Sequence, residues 1–176
     1  MNESLQWCSI DPANTSGIAY WNGIKLANTS VLRRMGTKGK YAFQSTVCGS
    51  RWEAWKLALI LCDTVVTEEG MGGFKTAIKS QSGIRGYIEA SCDYRTHERN
   101  LPTVFKVVNV SEWRRVIKEA YGVSWPATTE RKKALSVQLV KQHFGISVTN
   151  DEADAVLLGV AAMRMGLVNE TEVHNG

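Results

Sequence analysis

The stretch Leu5-Gln6-Trp7-Cys8-Ser9-Ile10-Asp11 is an apolar run that ends in an acid. Its composition predicts a strand over residues 5–10, and the alternation Leu5, Trp7, Ser9 places Asp11 on the same face, at a cleft where the strand ends. A carboxylate at the end of a buried element is costly unless a positive group neutralises it. The ordinary alternative is a turn, because Asp-Pro commonly begins one.

Two further segments combine apolar residues with acids. Thr64-Val65-Val66-Thr67-Glu68 is a short apolar run that also ends in an acid, and Asp151-Glu152-Ala153-Asp154 opens a long apolar segment. The pattern includes no companion histidine or cysteine, and oxygen-only ligands suit Mg²⁺ or Mn²⁺ rather than zinc. Acids this far apart in sequence predict a metal site that the fold assembles.

Each of these acids also has an ordinary structural explanation. Asp151 is an acceptable helix N-cap, and this interpretation is slightly favoured when the residue is taken alone. It fits Asp154 less well, because Asp154 lies on the helix stripe that faces the core, whereas Glu152 projects elsewhere as a solvent-facing acid. Glu68 is equally explained as an exposed strand-end acid, and the neighbouring Glu69 leaves that choice open.

The order of predicted elements describes a mixed α/β sheet covered by helices. Three strands joined by short turns come first, with a hairpin turn at Asn22-Gly23, and strands alternating with helices follow. Residues 33–40, which are basic and contain glycine, are predicted to be an exposed loop. The predicted strands are 5–10, 17–21, 24–32, 65–68 and 104–110. The predicted helices are one capped by Ser50, 74–92, 112–121 capped by Ser111, one from Thr128 or Thr129 to 144, and one from Asn150 or Asp151 to 165.

Composition sets the class of protein. The 176 residues are 44% hydrophobic and 22% charged, which is ordinary for one globular domain, expected here over residues 1–166 with a polar tail at 167–176. The net charge of +4 permits nucleic-acid binding without requiring it. The four cysteines have neither disulfide-framework nor zinc spacing, and we expect reduced thiols. With no signal peptide and no membrane span in the pattern, a cytoplasmic location is expected.

The acidic motifs carry a resemblance to a known family. Ile10-Asp11-Pro12-Ala13-Asn14-Thr15-Ser16-Gly17 resembles the first-strand motif of RuvC-type Holliday-junction resolvases, in the RNase H-like superfamily. Val65-Val66-Thr67-Glu68 resembles their second acidic strand, and Asp151-Glu152-Ala153-Asp154-Ala155 closely resembles the start of their final helix. The resemblance implies an RNase H-like mixed sheet, with three antiparallel strands and then parallel strands, flanked by helices.

The resemblance also implies an activity: a Mg²⁺-dependent endodeoxyribonuclease that resolves four-way DNA junctions by symmetric hydrolysis, leaving 5′-phosphate and 3′-hydroxyl ends. Two Mg²⁺ ions, or Mn²⁺ in their place, are implied in each active site. Both the catalytic and the metal-binding roles fall on Asp11, Glu68, Asp151 and Asp154. Symmetric cuts need two active sites, so a homodimer is expected, with the helix that carries Gly83 and Gly86 as a candidate interface open to another backbone.

Several residues are expected to contact DNA. Lys133 falls where the family carries a DNA-contacting lysine, and Met71 and Phe74 lie near the position of its aromatic wedge. The predicted set is Lys132, Lys133, Met71, Phe74, Lys75 and Arg85. Further basic sets, for which a solvated face is an equally good interpretation, are Arg33, Arg34, Lys38 and Lys40; Lys75 and Lys79; Arg114, Arg115 and Lys118; and Arg131. Asp11-Pro12-Ala13 replaces the family's Asp-Pro-Gly, a departure that fits a phage or prophage version.

Three alternatives remain at the level of sequence. An RNase H-like nuclease acting on flaps, forks or RNA–DNA hybrids would use the same acids. A non-catalytic junction-binding module ranks lower, because all four acids are present. An actin-like ATPase domain fits least, because the chain is short and lacks a second phosphate-binding loop.

Overall fold

The computed structural model describes residues 6–13, 15–37, 40–44, 59, 62–69, 75–98 and 100–168, without the side chains of 33–44 and 75–82. Its strands are β1 (Gln6–Asp11), β2 (Thr15–Asn22), β3 (Lys25–Thr37), β4 (Lys40–Gln44), β5 (Thr64–Glu69) and β6 (Val104–Asn109). Its longer helices are α1 (Lys75–His97), α2 (Val110–Tyr121), α3 (Thr129–Phe144) and α4 (Asn150–Arg164). No described helix is both long and apolar enough to cross a bilayer.

The strands form one mixed six-stranded sheet in the order β4-β3-β2-β1-β5-β6. β1 to β4 pair antiparallel in sequence order, whereas β5 runs parallel to β1 and β6 runs parallel to β5. The predicted mixed sheet is therefore confirmed. Thr64 through Thr67 are buried along β5, which is the pattern of a strand that is covered on both faces.

Two cores lie on the two faces of the sheet. Side chains alternate along β1, so Trp7 joins the core beneath α2, α3 and α4, whereas Cys8 and Ile10 join the core that includes Ile84 and Ile88 of α1. Asp11 has the same parity as Trp7 and therefore lies on the α4 face, as the alternation predicts.

α4 packs closely on β1 and β2 through a buried polar contact. Ser9 Oγ donates a hydrogen bond to the carbonyl of Ala155 at 2.7 Å and accepts one from Trp21 Nε1 at 2.9 Å, which leaves no buried polar group of this set unpaired. Trp21 in turn stacks on Trp7 with ring centroids 5.2 Å apart. Gly159 completes the contact, because a Cβ there would lie 2.5 Å from the Trp21 ring and 2.6 Å from Ser9 Oγ.

Arg95, near the end of α1, fixes the start of β5. Its buried guanidinium donates to the carbonyl of Cys62 at 2.5 Å, to Asp63 Oδ1 at 2.9 Å and to Thr103 Oγ1 at 2.8 Å. Because these bonds join the segments that precede β5 and β6, they set where the two parallel strands begin. The register of β5 and β6 then begins with Thr64 opposite Val104.

The cysteines that the structure describes behave as small apolar residues. Cys8, Cys62 and Cys92 are free thiols buried in the α1-side core. Burial raises the pKa of Cys8 well above its usual value and raises that of Cys92 to about 12, so these two thiols stay protonated. Cys48 lies outside the described residues.

Several sequence predictions are wrong at the ends of elements. Residues 33–40 are predicted as a loop, but Arg33 to Thr37 continue β3 and pair with β4. Asn109 rather than Ser111 caps α2, accepting from the Ser111 amide. Thr149, rather than Asn150 or Asp151, caps α4 within a capping box. The predicted helix capped by Ser50 lies outside the described residues except for Leu59, which is buried.

The other helix limits agree more closely with the predictions. Gly122 and Gly145 end α2 and α3 in the left-handed conformation that glycine adopts readily at the end of a helix. Thr128 is the N-cap of α3. Gly83 and Gly86 are exposed on α1, and nothing among the described residues lies within 4 Å of a Cβ added to either, so no backbone from the described part of this chain packs against them.

The tight contact under Gly159 can be tested against an open glycine. Gly159→Ala is expected to lower the free energy of unfolding by about 1–3 kcal/mol, because Trp21 and Ser9 must move. Gly83→Ala, also a helical glycine, is expected to raise it by about 0.5–1 kcal/mol. Urea unfolding followed by circular dichroism measures both. Equal changes in the two variants would contradict the close packing of α4.

Candidate metal centre

Asp11 and Glu68 lie side by side at the ends of neighbouring strands. β1 and β5 are parallel and adjacent, with Ile10 opposite Thr67, so the two acids follow at the same edge of the sheet. Glu68 shares the parity of Val66, which packs in the α4-side core, and so faces the same way as Asp11. Glu69 has the opposite parity and is exposed. The structure therefore separates Glu68 from Glu69, which the sequence could not do.

Asp151 and Asp154 approach the same edge from the first turns of α4. Gly17 is the residue opposite Asp11 on β2, and a Cβ on Gly17 would overlap the backbone carbonyl of Asp151. The start of α4 therefore lies directly against the strand beside Asp11. Asp154 is buried, with 8% of its surface exposed, as its place on the core stripe predicts.

Three of the four carboxylates are each held by a described side chain on one oxygen. Trp113 Nε1 donates to Glu68 Oε2 at 2.8 Å, Ser136 Oγ donates to Asp154 Oδ1 at 2.5 Å, and Lys133 Nζ contacts Asp151 Oδ1 at 3.0 Å. No hydrogen bond from a described residue reaches the carboxylate of Asp11. Such bonds orient carboxylates in the way that supporting residues orient metal ligands.

The four acids form one electrostatic unit around Asp11. Burial raises the pKa of Asp11 well above its usual value, and the charges of Glu68, Asp154 and Asp151 raise it further, while Lys133 opposes them. All four acids that the sequence singled out thus act on one another electrostatically at this edge of the sheet. At neutral pH, such a group is destabilising unless a cation joins it.

Burial also dominates the electrostatics of two other acids. It raises the pKa of Glu68, although the hydrogen bond from Trp113 and the charge of Arg114 work against the increase. Burial likewise raises the pKa of Asp154, against the hydrogen bond from Ser136 and the charges of Arg114 and Lys133. For both carboxylates, the neighbouring cations therefore offset only part of the free-energy cost of burying a negative charge.

Lys133 is a positive group in direct contact with this unit. Burial works to lower its pKa, but the hydrogen bond and charge of Asp151, together with the charges of Asp11 and Asp154, outweigh burial and raise it. The side chain remains 37% exposed. Lys133 therefore carries a firm positive charge at the rim of the acidic cluster.

The donor set fits a hard divalent cation by its chemistry. All four groups are carboxylates, which are the ligands of Mg²⁺ and Mn²⁺, and their repulsion favours a cation between them. As they stand, no three His, Cys, Asp or Glu side chains of the described residues are placed to hold one ion together. The four acids interact electrostatically, but their carboxylates do not converge on one position where a single ion could contact three of them. Lys133 also forms an ion pair with one oxygen of Asp151.

Glu152 has a structural role beside the cluster. Its Oε2 accepts hydrogen bonds from the backbone and hydroxyl of Thr149, and its Oε1 accepts one from Thr29 Oγ1. The bonds to Thr149 and Thr29 lower the pKa of Glu152, although its partial burial acts in the opposite direction. The predicted solvent-facing acid is thus a capping residue that also ties α4 to β3.

The expected DNA contacts are spread over different parts of the chain. Lys133 lies in the cluster itself, and Lys132 is half-buried beside it on α3. Arg85 lies on α1, which packs on the opposite face of the sheet. Met71 and Phe74 lie outside the described residues, and Lys75 begins α1 with its side chain outside them.

Sequence reasoning missed three residues that shape the site. Trp113 is buried in the core, and its indole also donates to Glu68. Ser136 follows Lys133 by one helical turn, a spacing that could have indicated a shared face. Arg114 belonged to a general basic set, and nothing in the sequence placed it near Glu68 and Asp154.

Solved structures of Holliday-junction resolvases share this fold. Thermus thermophilus RuvC in complex with a Holliday junction substrate gives a TM-score of 0.57 at 14% identity, covering 92% of this chain and 96% of that one. A second T. thermophilus RuvC structure gives 0.55 at 14% identity, with 92% and 97% covered. The yeast mitochondrial Holliday junction resolvase gives 0.52 at 11% identity, with 92% and 80% covered. No protein-family model and no curated protein matches the sequence.

These similarities establish the class of fold. The mixed sheet and its flanking helices are RNase H-like. The fold is similar to that of the RuvC structures, so the resemblance carried by the acidic motifs is confirmed at the level of the fold.

Metal binding can be tested through stability. We expect Mg²⁺ to raise the melting temperature, because a cation relieves the repulsion among the four carboxylates. Asp11→Asn removes the acid at the centre of that repulsion. In metal-free buffer it should raise the melting temperature, by about 2–4 °C for each kcal/mol of repulsion that is relieved. It should also weaken the rise in melting temperature caused by Mg²⁺.

The matched control is Glu69→Gln, which removes an exposed carboxylate on the other face of β5. Its response to Mg²⁺ should equal that of the unmodified protein in a thermal unfolding series. A melting temperature that Mg²⁺ leaves unchanged in the unmodified protein would count against the metal centre.

Proposed function

We propose that this chain is a Mg²⁺-dependent endodeoxyribonuclease that resolves four-way DNA junctions. The observation that carries the proposal is the convergence of Asp11, Glu68, Asp151 and Asp154 at one edge of an RNase H-like sheet, where they act on one another electrostatically. Carboxylates placed in this way are costly to keep without cations, which is the property expected of a metal-dependent phosphodiesterase.

Asp11 lies at the centre of the proposed site, since its charge interacts with those of the other three acids. Asp11, Glu68, Asp151 and Asp154 would hold the divalent ions through oxygens that described hydrogen-bond donors leave open. When bound, such ions supply Lewis-acid stabilisation of the attacking and leaving oxygens of a phosphodiester. Trp113 and Ser136 would keep Glu68 and Asp154 in fixed orientations during the reaction.

A basic group beside the acids suits a polyanionic substrate. Lys133 is charged, partly exposed and within hydrogen-bonding distance of Asp151. A DNA phosphate near the centre would find its positive charge at the rim of the cluster. This position supports the DNA-contacting role that the sequence motif implies for Lys133.

The four-way junction is proposed as the substrate because of the T. thermophilus RuvC structure with a TM-score of 0.57. That T. thermophilus RuvC is in complex with a Holliday junction substrate, and its fold extends over 92% of this chain. The carboxylates alone would also suit a nuclease of flaps, forks or RNA–DNA hybrids, so the substrate range has to be measured directly.

Cleavage of labelled branched substrates tests the activity. We expect paired symmetric nicks in four-way junctions in the presence of Mg²⁺, with 5′-phosphate and 3′-hydroxyl ends. Asp154→Asn should slow cleavage roughly 100-fold or more while junction binding persists, because a lost metal ligand removes several kcal/mol of transition-state stabilisation. Glu69→Gln is the matched control and should cut at the normal rate.

Forks, flaps and RNA–DNA hybrids belong in the same series. Equal cutting of every branched substrate would replace the resolvase proposal with a broader nuclease. Binding of junctions without any cleavage, with or without Mg²⁺, would favour a non-catalytic binding module.

We also propose that the active form is a homodimer that associates through α1. Gly83 and Gly86 lie exposed on this helix, with open space around each among the described residues. A pair of active sites would fit the two-fold symmetry of a four-way junction. Small residues at these positions would allow the helix of a second copy to approach closely.

A bulky side chain on this face should disrupt the dimer. Gly86→Arg is expected to shift sedimentation from dimer to monomer and to replace paired nicks with isolated ones. Arg115→Gln, on α2, changes a side chain that is 60% exposed and should leave the sedimentation unchanged. A monomeric unmodified protein that still makes paired nicks would refute the dimer.

A further inference from the structure

Arg114 packs against two aromatic rings next to the acidic cluster. Its guanidinium carbon lies 5.1 Å from the centroid of the Trp113 ring and 5.6 Å from that of the Trp125 ring. The two indoles meet edge to face, with centroids 5.7 Å apart and planes at 86°. Arginine stacks well in such a setting because its guanidinium is planar and weakly hydrated.

The indole of each ring of this aromatic pair, Trp113 and Trp125, is fixed by a hydrogen bond. Trp113 is fully buried and its Nε1 donates to Glu68 Oε2 at 2.8 Å. Trp125 is half-buried and its Nε1 donates to the backbone carbonyl of Arg114 at 2.7 Å. The position of the guanidinium is thereby linked to the same carboxylate that the proposed metal centre uses.

The donors of Arg114 are not taken up by the acids beside it. Its charge acts on both Glu68 and Asp154, yet no ion pair joins it to any carboxylate in the described part of the chain. Its Nε is buried and has no hydrogen-bond partner among the described residues. A buried donor left unpaired is costly, so this arrangement is unusual for an arginine that only neutralises charge.

We propose that Arg114 is a phosphate-binding residue for DNA on the Glu68 and Asp154 side of the centre, with Trp113 and Trp125 as its positioning residues. The proposal rests on the proposed function, since it assumes a DNA substrate at this edge of the sheet. A phosphate supplies the oxygen acceptors that the fork of an arginine matches, and contact with the two indole rings limits the orientations that the fork can take.

The salt dependence of junction binding tests this contact without any need for cleavage. In Mg²⁺-free buffer, Arg114→Gln should reduce the slope of log affinity against log salt concentration by about one, as expected for one lost phosphate contact. Arg164→Gln is the matched control, because this arginine is exposed in the last turn of α4, at the end of the helix away from the acids. Its slope should stay unchanged.

Cleavage with Mg²⁺ provides a second measurement. At protein concentrations below saturation, Arg114→Gln should reduce the single-turnover rate roughly 10-fold, matching the junction affinity lost with one charge-assisted hydrogen bond. Arg114→Lys should recover only part of this rate, because lysine keeps the charge but loses the fork and the stacking. Trp125→Ala should slow cleavage in the same direction, and Trp125→Phe should recover most of the rate.

Each outcome separates the hypotheses. An unchanged salt slope in Arg114→Gln would overturn the phosphate contact, as would a parallel loss of melting temperature and of Mg²⁺-induced stabilisation, which would indicate a structural role. Cleavage of no branched DNA by the unmodified protein would remove the proposed nuclease function. In that case the salt slope still decides whether Arg114 binds phosphate.

Discussion

The close approach of α4 to β1 and β2 is the constraint on which the candidate site depends. Two glycines make room for it, Gly17 beneath the carbonyl of Asp151 and Gly159 beneath the Trp21 ring, and Ser9 bonds to the helix backbone between them. Because the helix sits so close, its first turns bring two acids to the strand ends. A side chain in place of Gly17 would push away the end of the helix that carries these acids.

The same closeness creates an electrostatic cost. Removing a carboxylate from water costs of order several kcal/mol per ion after relaxation, and here burial and mutual repulsion act together on Asp11. The fold tolerates this because Lys133, Arg114 and single hydrogen bonds to Glu68, Asp151 and Asp154 offset part of the cost. A bound cation would relieve the part of the cost that these groups do not offset. The repulsion that destabilises the metal-free fold would therefore also favour metal binding.

The sequence predicted those features that depend on local periodicity. Alternation along β1 placed Asp11 on the correct face, and helical spacing placed Asp154 on the buried stripe. It failed where the deciding partner is distant in the chain: β3 extends through its basic end because β4 pairs with it, and Trp113 and Ser136 find their acids only in the folded protein. The prediction of the α4 N-cap was wrong for a local reason, because Thr149 and Glu152 have the spacing of a capping box that the sequence itself contains.

The ion pair between Lys133 and Asp151 would couple the proposed metal site to DNA binding. One oxygen of Asp151 cannot fully satisfy both the ammonium group and an incoming cation, so a bound metal would weaken the hold of the acid on the lysine. The released ammonium group, already at the rim, would then be freer to meet a phosphate. By thermodynamic reciprocity, a phosphate that draws Lys133 away would raise the affinity of the acids for metal by the same factor. Metal and nucleic acid would thus each recruit the other through a single side chain.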